Sequence, residues 1–159
     1  TCWSASPTLS YGVYSIAGHG DSSTSAYTSG GSPTTAPPPA GSGTAGAGMQ
    51  NFNGTSWSVT GALLLQGRWN SKFIGGTSAG IITNGSIAAP AVSQATQTSE
   101  SWNGTSWSSI AATTASGLNL PNGSTASSST SHLISHGINP GGQPGGVEVY
   151  SNTKTITQS

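Results

Sequence analysis

The heptapeptide at residues 52–58, Phe-Asn-Gly-Thr-Ser-Trp-Ser, recurs at residues 102–108 with Trp in place of Phe. Each copy has an aromatic residue at both ends and an Asn-Gly pair between them. Asn-Gly favours a tight turn between antiparallel strands, because both residues reach positive φ at little cost. Large apolar residues on either side of that turn predict a small hairpin, used twice. A recurrence near fifty residues indicates one supersecondary unit stacked repeatedly.

The anchors extend the pattern along the chain. Trp3, Trp57, Trp107 and Ile156 close successive units, at separations of 54, 50 and 49 positions. The units are read as 4–57, 58–107 and 108–156 within a single β-repeat domain spanning 1–159. Each unit carries a short apolar strand ending in glycine, at 13–20, 72–76 and 131–137, with Gly18, Gly75, Gly76 and Gly137 as turn glycines. A later strand enters the aromatic turn through Gln50-Asn-Phe52, Glu100-Ser-Trp102 and Glu148-Val-Tyr150. The predicted repeat core is Trp3, Phe52, Trp57, Trp102, Trp107 and Tyr150. Between these anchors the spacing is uneven, as expected where strands pack and connections tolerate insertion. Residues 22–48 contain three consecutive prolines, Pro37, Pro38 and Pro39, and read as one long exposed loop. Residues 139–146 read as a second.

Composition limits the partners. The formally charged residues are Arg68, Lys72, Lys154, Asp21, Glu100 and Glu148, and they cancel. That leaves no electrostatic footprint for nucleic acid or an anionic membrane. Ser and Gly are abundant, yet five Trp, four Tyr and two Phe argue for a packed chain rather than a disordered one. β-Branched residues, Ser and Gly disfavour helix, and no 3.6-residue apolar stripe is present. The expected fold class is all-β. Cys2 is the sole cysteine, so no intrachain disulfide can form. No apolar stretch of transmembrane length and no signal-peptide pattern occur, so membrane insertion is not expected. The start at Thr1 reads as a processed product or as the ordered part of something longer. Low charge suits a chain built into an assembly.

A strand ending in paired glycines, a loop, a strand with acidic and aromatic residues, a turn and a Trp together resemble the kelch repeat of β-propellers. The Asn-Gly-Thr-Ser-Trp wording, with Ala45-Gly-Ala-Gly48 upstream, is similar to kelch-like repeats in structural proteins of tailed phages, marine cyanophages especially. The resemblance covers residues 3–156 as three degenerate antiparallel units, and only the middle one keeps its glycine pair, Gly75 and Gly76. It implies blade-like units in a propeller or an oligomeric β assembly. About five to seven blades close such a ring, so three units imply neighbours.

Candidate chemistry is sparse. Residues 76–80 match the Gly-x-Ser-x-Gly nucleophile elbow with Ser78 at its centre, a motif that works where a strand turns sharply into a helix. Here a strand follows, so the match is read as compositional. His132 and His136 would lie roughly 13 Å apart along a strand, too far for one ion; His19 reads as a turn residue. A copper radical oxidase, also found among kelch proteins, needs a Cys-linked Tyr and His ligands that this chain does not offer. Glu100 and Glu148 occupy equivalent repeat positions, which points to a structural task. No catalytic, cofactor-binding or metal residue is therefore assigned. Asn53, Asn84, Asn103 and Asn122 each open an Asn-x-Ser/Thr sequon, and all are Asn-Gly turns. Trp57 and Trp107 recur and so read as packing between blades. Trp69 breaks the repeat and is the candidate for exposed contact.

The expectation is a non-enzymatic virion structural protein, a tail, fibre or capsid-surface component on the outside of the particle. Its expected partners are further copies of itself, other virion proteins and, through host attachment, a host surface glycan. The alternative is a secreted carbohydrate-binding β-propeller segment.

Overall fold

A computed structural model describes residues 5–33, 46–88, 93–113, 123–125, 131–135 and 147–151. All regular structure among them is β. Trp3, His136, Gly137 and the loop 139–146 lie outside the described residues, as does most of 34–48.

The first stretch forms β1 (Val13–Tyr14), β2 (Ala17–Ser22), β3 (Ser25–Ser29), β4 (Ser32–Pro33), β5 (Met49–Phe52) and β6 (Trp57–Val59). β2, β3, β5 and β6 make a four-stranded antiparallel sheet in that order, while β1 pairs with β4 beside it. The second stretch forms β7 (Lys72–Gly75), β8 (Gly80–Thr83), β9 (Ser86–Ala88), β10 (Ser93–Ala95), β11 (Ser99–Trp102) and β12 (Trp107–Ile110). β7, β8, β11 and β12 build a second four-stranded antiparallel sheet, and β9 and β10 form a side hairpin. A three-stranded sheet then follows, from β13 (Gly123–Thr125), β14 (Ser131–Ser135) and β15 (Val147–Ser151).

The two larger sheets share a register. In the first, Gly20 opposes Ala26, Ala26 opposes Phe52, and Phe52 opposes Trp57. In the second, Gly75 opposes Gly80, Gly80 opposes Trp102, and Trp102 opposes Trp107. The segments leading into each sheet also correspond, residues 9–20 with 64–75. Ser15 and Asn70 hold the same place in them, and both have positive φ, 56° and 52°.

Three sequence expectations are corrected here. Gly18 is not a turn glycine: it lies inside β2 opposite Thr28, and the chain reverses after Ser22. The loop expected over 22–48 contains β3, an inner strand of its sheet. Its Ser-Ala-Tyr-Thr-Ser sequence has no apolar run, so its strand character comes from pairing on both sides with β2 and β5. Residues 131–135 do not hold the place of Lys72–Gly75. β14 lies between β13 and β15, with Ile134 opposite Glu148 and His132 opposite Tyr150, which is the position of β8.

The repeated aromatic turns are hairpins, with a wider tip than a two-residue Asn-Gly turn. Residues 53–56 and 103–106 close the two loops. Asn53 Oδ1 accepts the N–H groups of Thr55 and Ser56 at 2.9 and 3.0 Å, and Asn103 Oδ1 accepts those of Thr105 and Ser106, both at 2.9 Å. Only the glycines take positive φ, 93° at Gly54 and 90° at Gly104. The asparagine side chain acts as a local turn-former, which leaves its own backbone in an ordinary conformation.

The core lies between the two larger sheets. Ala17 and Met49 from the first meet Phe73, Ile82, Trp102 and Trp107 from the second, with Leu64 from the connecting segment. β2 lies against β7, and β7 in turn lies against β13.

Candidate functional site

Most of the polar groups that could carry chemistry are gathered at the seam between the two sheets. Arg68 lies on the segment entering the second sheet and is fully buried. Its Nη2 donates to Glu100 Oε1 at 2.6 Å, and its Nη1 donates to the Thr98 carbonyl at 2.7 Å and the Asn84 carbonyl at 3.2 Å. Glu100, on β11, also accepts the backbone N–H groups of Leu65 at 2.7 Å and Gln66 at 3.1 Å. Both charges are thus paired, and each has further hydrogen bonds, the condition under which a buried ion pair is tolerated. Burial pulls the Arg68 pKa down, and the Glu100 carboxylate opposes that pull.

Gln50 occupies the place of Glu100 in the first sheet and does the same work without charge. Its Oε1 accepts the Ser10 N–H at 2.7 Å, and its Nε2 donates to the Tyr11 carbonyl at 3.4 Å. In each of these two units one residue therefore ties down the segment that enters its sheet. The site is a tether.

A second group crosses the seam at the hairpin tips. Asp21, in the bulge of β2, accepts the Thr77 N–H at 2.9 Å and also the Thr77 hydroxyl. The Thr77 hydroxyl and N–H hold the Asp21 carboxyl below the usual carboxylate range. Gly76 leaves room for this contact, since a Cβ at that position would push the Asp21 carboxylate aside. Gly75 has φ of 108°, and its N–terminal strand reverses through the Gly76 N–H to Ala79 carbonyl bond at 2.9 Å. Trp102 Nε1 donates to the Thr77 carbonyl at 2.9 Å, fixing the same tip from the core side.

His19 stacks between Tyr27 and Phe73, with ring centroids 5.3 and 3.3 Å away. Its Nε2 lies 3.2 Å from Ser29 Oγ, while Nδ1 is buried without a hydrogen-bond partner. Burial pulls the His19 pKa down to about 4, against smaller opposing pulls from the Gly76 backbone and Asp21. The unfolded chain therefore binds a proton near pH 6.5 that the folded chain refuses until about pH 4. Stability falls as pH drops through that window, by about 2 kcal/mol from this residue. Denaturant midpoints between pH 7 and pH 4.5 should show the loss, and His19→Phe should flatten it. Parallel losses in both proteins would put the titration elsewhere.

Ser78 is exposed at the tip of the β7–β8 turn, which joins two strands. Neither nitrogen of His19 is bonded to it. Among the described residues, no three His, Cys, Asp or Glu side chains are gathered so as to hold a metal ion, and no helix is long and apolar enough to cross a membrane.

Of the predicted repeat core, Phe52, Trp102 and Trp107 are buried and Trp57 is half-buried against Phe52. Tyr150 holds its register place on β15. Trp69 is half-buried, and its backbone pairs with Ser86 in both directions at 2.9 and 2.8 Å. Sequence reasoning missed Arg68 and His19 as seam residues. A lone arginine in a chain almost free of charge was the available signal for the first; nothing local marked the second. No protein-family model matches the chain, and no curated protein matches it.

Proposed function

We propose that this chain is a virion structural protein, a kelch-like β-repeat module of a phage tail, fibre or capsid surface that works in assembly and host attachment. The observation that supports this reading most is the way one sheet covers the next. The Asp21–Thr77 hydrogen bonds and the core formed by Ala17, Met49, Phe73, Trp102 and Trp107 hold the first unit against the second. Blade-like stacking accords with the line of contact from β2 to β7 to β13, the first strands of the three sheets. The phage assignment rests on the resemblance of the repeat wording. Imaging of purified particles with a chain-specific antibody should show label at symmetric, repeated positions on the surface. Particles that lack the chain would overturn the proposal.

The carbohydrate-binding alternative rests on Trp69, which is half-buried rather than enclosed. Glycan binding that disappears in Trp69→Ala would favour it over the structural role.

A further inference from the structure

Asn-Gly pairs stand at 53–54, 84–85, 103–104 and 122–123, and Asn122 lies outside the described residues. The other three share a dipeptide but not an environment. In such a pair the glycine nitrogen can attack the asparagine side-chain carbonyl, because no side chain on glycine shields the approach. A polarised Cγ–Oδ1 carbonyl, an unengaged amide as leaving group and access to solvent for the protons all favour that attack.

Asn53 and Asn103 combine these conditions. Asn53 Oδ1 accepts the N–H groups of Thr55 and Ser56, and Asn103 Oδ1 accepts those of Thr105 and Ser106. Two donors draw charge towards Oδ1, where the negative charge of a tetrahedral intermediate would collect. The side-chain Nδ2 and the N–H of the following glycine take no part in these bonds. Both asparagines are exposed at hairpin tips. The hydrogen bonds that build each turn thus also polarise its reactive carbonyl.

Asn84 is placed differently. It is fully buried, and its Nδ2 is enclosed without a hydrogen-bond partner. Its Oδ1 accepts the Thr113 hydroxyl at 2.7 Å. The backbone around it is held at three points: the Asn84 N–H donates to the Thr98 carbonyl at 3.3 Å, the Asn84 carbonyl accepts Arg68 Nη1 at 3.2 Å, and the Gly85 carbonyl accepts the Thr96 N–H at 2.9 Å. Ring closure there must wait for local opening.

We propose that Asn53 and Asn103 are sites of spontaneous deamidation, and that the fold withholds Asn84 from the same reaction. At Asn53, the Gly54 nitrogen forms a bond to Cγ and gives its proton to solvent. The Cγ–Nδ2 bond breaks, and Nδ2 leaves as ammonia. The five-membered imide then takes up one water. Opening between Gly54 N and Cγ gives aspartate in the ordinary main chain. Opening between Gly54 N and the Asn53 backbone carbonyl carbon gives isoaspartate, with the main chain running through Cγ. Nothing is oxidised or reduced. Either product adds a negative charge to a chain with no formal net charge. Aspartate keeps the acceptor that closes the turn, whereas isoaspartate lengthens the main chain inside the loop. The inference stands apart from the virion reading, since it needs only the hairpins and water.

Incubation of the folded protein at mildly alkaline pH, beside a sample unfolded in guanidinium chloride, tests it. Chymotryptic cleavage after the aromatic residues separates the Asn84 peptide from the turn peptides. Peptide mass and enzymatic methylation of isoaspartate then follow each. The two turn peptides share the sequence Asn-Gly-Thr-Ser-Trp, so Asn53→Gln and Asn103→Gln assign the signal to one turn or the other. In the folded chain the turns should convert at least roughly tenfold faster than Asn84, and in the unfolded chain all three should convert at similar rates. Turns that stay intact while the unfolded chain converts would overturn the proposal. A smaller gap in the folded chain would do the same, as would a gap of equal size in the unfolded one, which would trace to neighbouring side chains rather than to the fold. Each glutamine variant should remove its own share of the turn signal, and one that removes none overturns that turn's assignment.

Discussion

Glu100→Gln should destabilise the folded chain by about 3–5 kcal/mol, because it leaves the fully buried Arg68 guanidinium without its counter-charge. That is a large share of the roughly 5–15 kcal/mol that holds a typical domain folded. The glutamine would still reach the Leu65 and Gln66 segment with its carbonyl oxygen. Its amide, however, would bring N–H donors towards N–H groups that now meet two carboxylate oxygens. Arg68→Val should also be costly, since it strands the carboxylate and removes the Arg68 bonds to the Thr98 and Asn84 carbonyls. The first sheet offers its own control: it carries Val13 and Gln50 at the two corresponding places. The double variant Arg68→Val/Glu100→Gln should recover a substantial part of the summed single losses, giving a coupling energy on the order of 2 kcal/mol. Urea unfolding of the four proteins measures it. Strict additivity would mean that the pair acts as two independent residues.

What could be read from the sequence, and what could not, divides along the range of the interactions. The Asn53 and Asn103 hairpins were legible because four consecutive residues contain their whole chemistry: an Asx acceptor, a glycine and two backbone donors. The all-β class was legible from composition. β3 was not, because Ser-Ala-Tyr-Thr-Ser becomes a strand through neighbours that lie on either side of it in the sheet, β5 being the more distant along the chain. The third unit was misaligned for a related reason. Ser131–Ser135 is an apolar segment close to glycine, as β7 is, and only its pairing with both β13 and β15 places it second in its sheet. The correspondence of residues 9–20 with 64–75 was visible in principle through Leu9 and Leu64, Gly12 and Gly67, and the Tyr14 and Trp69 positions. Trp69 hides it, because it falls outside the aromatic-turn pattern that marks the repeat. The seam was beyond reach: Asp21 meets Thr77, and Met49 meets Trp107, across 56 and 58 positions of chain.

Trp107→Ala should cost about 3–5 kcal/mol, the range for deleting a large buried aromatic side chain from a packed core. Its indole spans both sheets. Nε1 lies 2.9 Å from Met49 Sδ, the ring meets Phe73 edge-on with centroids 6.0 Å apart, and it leans on Trp102 at 5.3 Å. Thioether sulfur is a weak acceptor, so most of the loss comes from area and shape rather than from the hydrogen bond. Trp107→Phe should therefore retain much of the stability that the alanine variant loses. Trp57 is the sharper comparison, because it holds the same register place opposite Phe52 that Trp107 holds opposite Trp102. Trp57→Ala should cost less than half as much as Trp107→Ala, since Trp57 is only half-buried where Trp107 is buried. Urea unfolding of both variants measures the difference, and equal losses would show that Trp57 is packed as tightly as its counterpart.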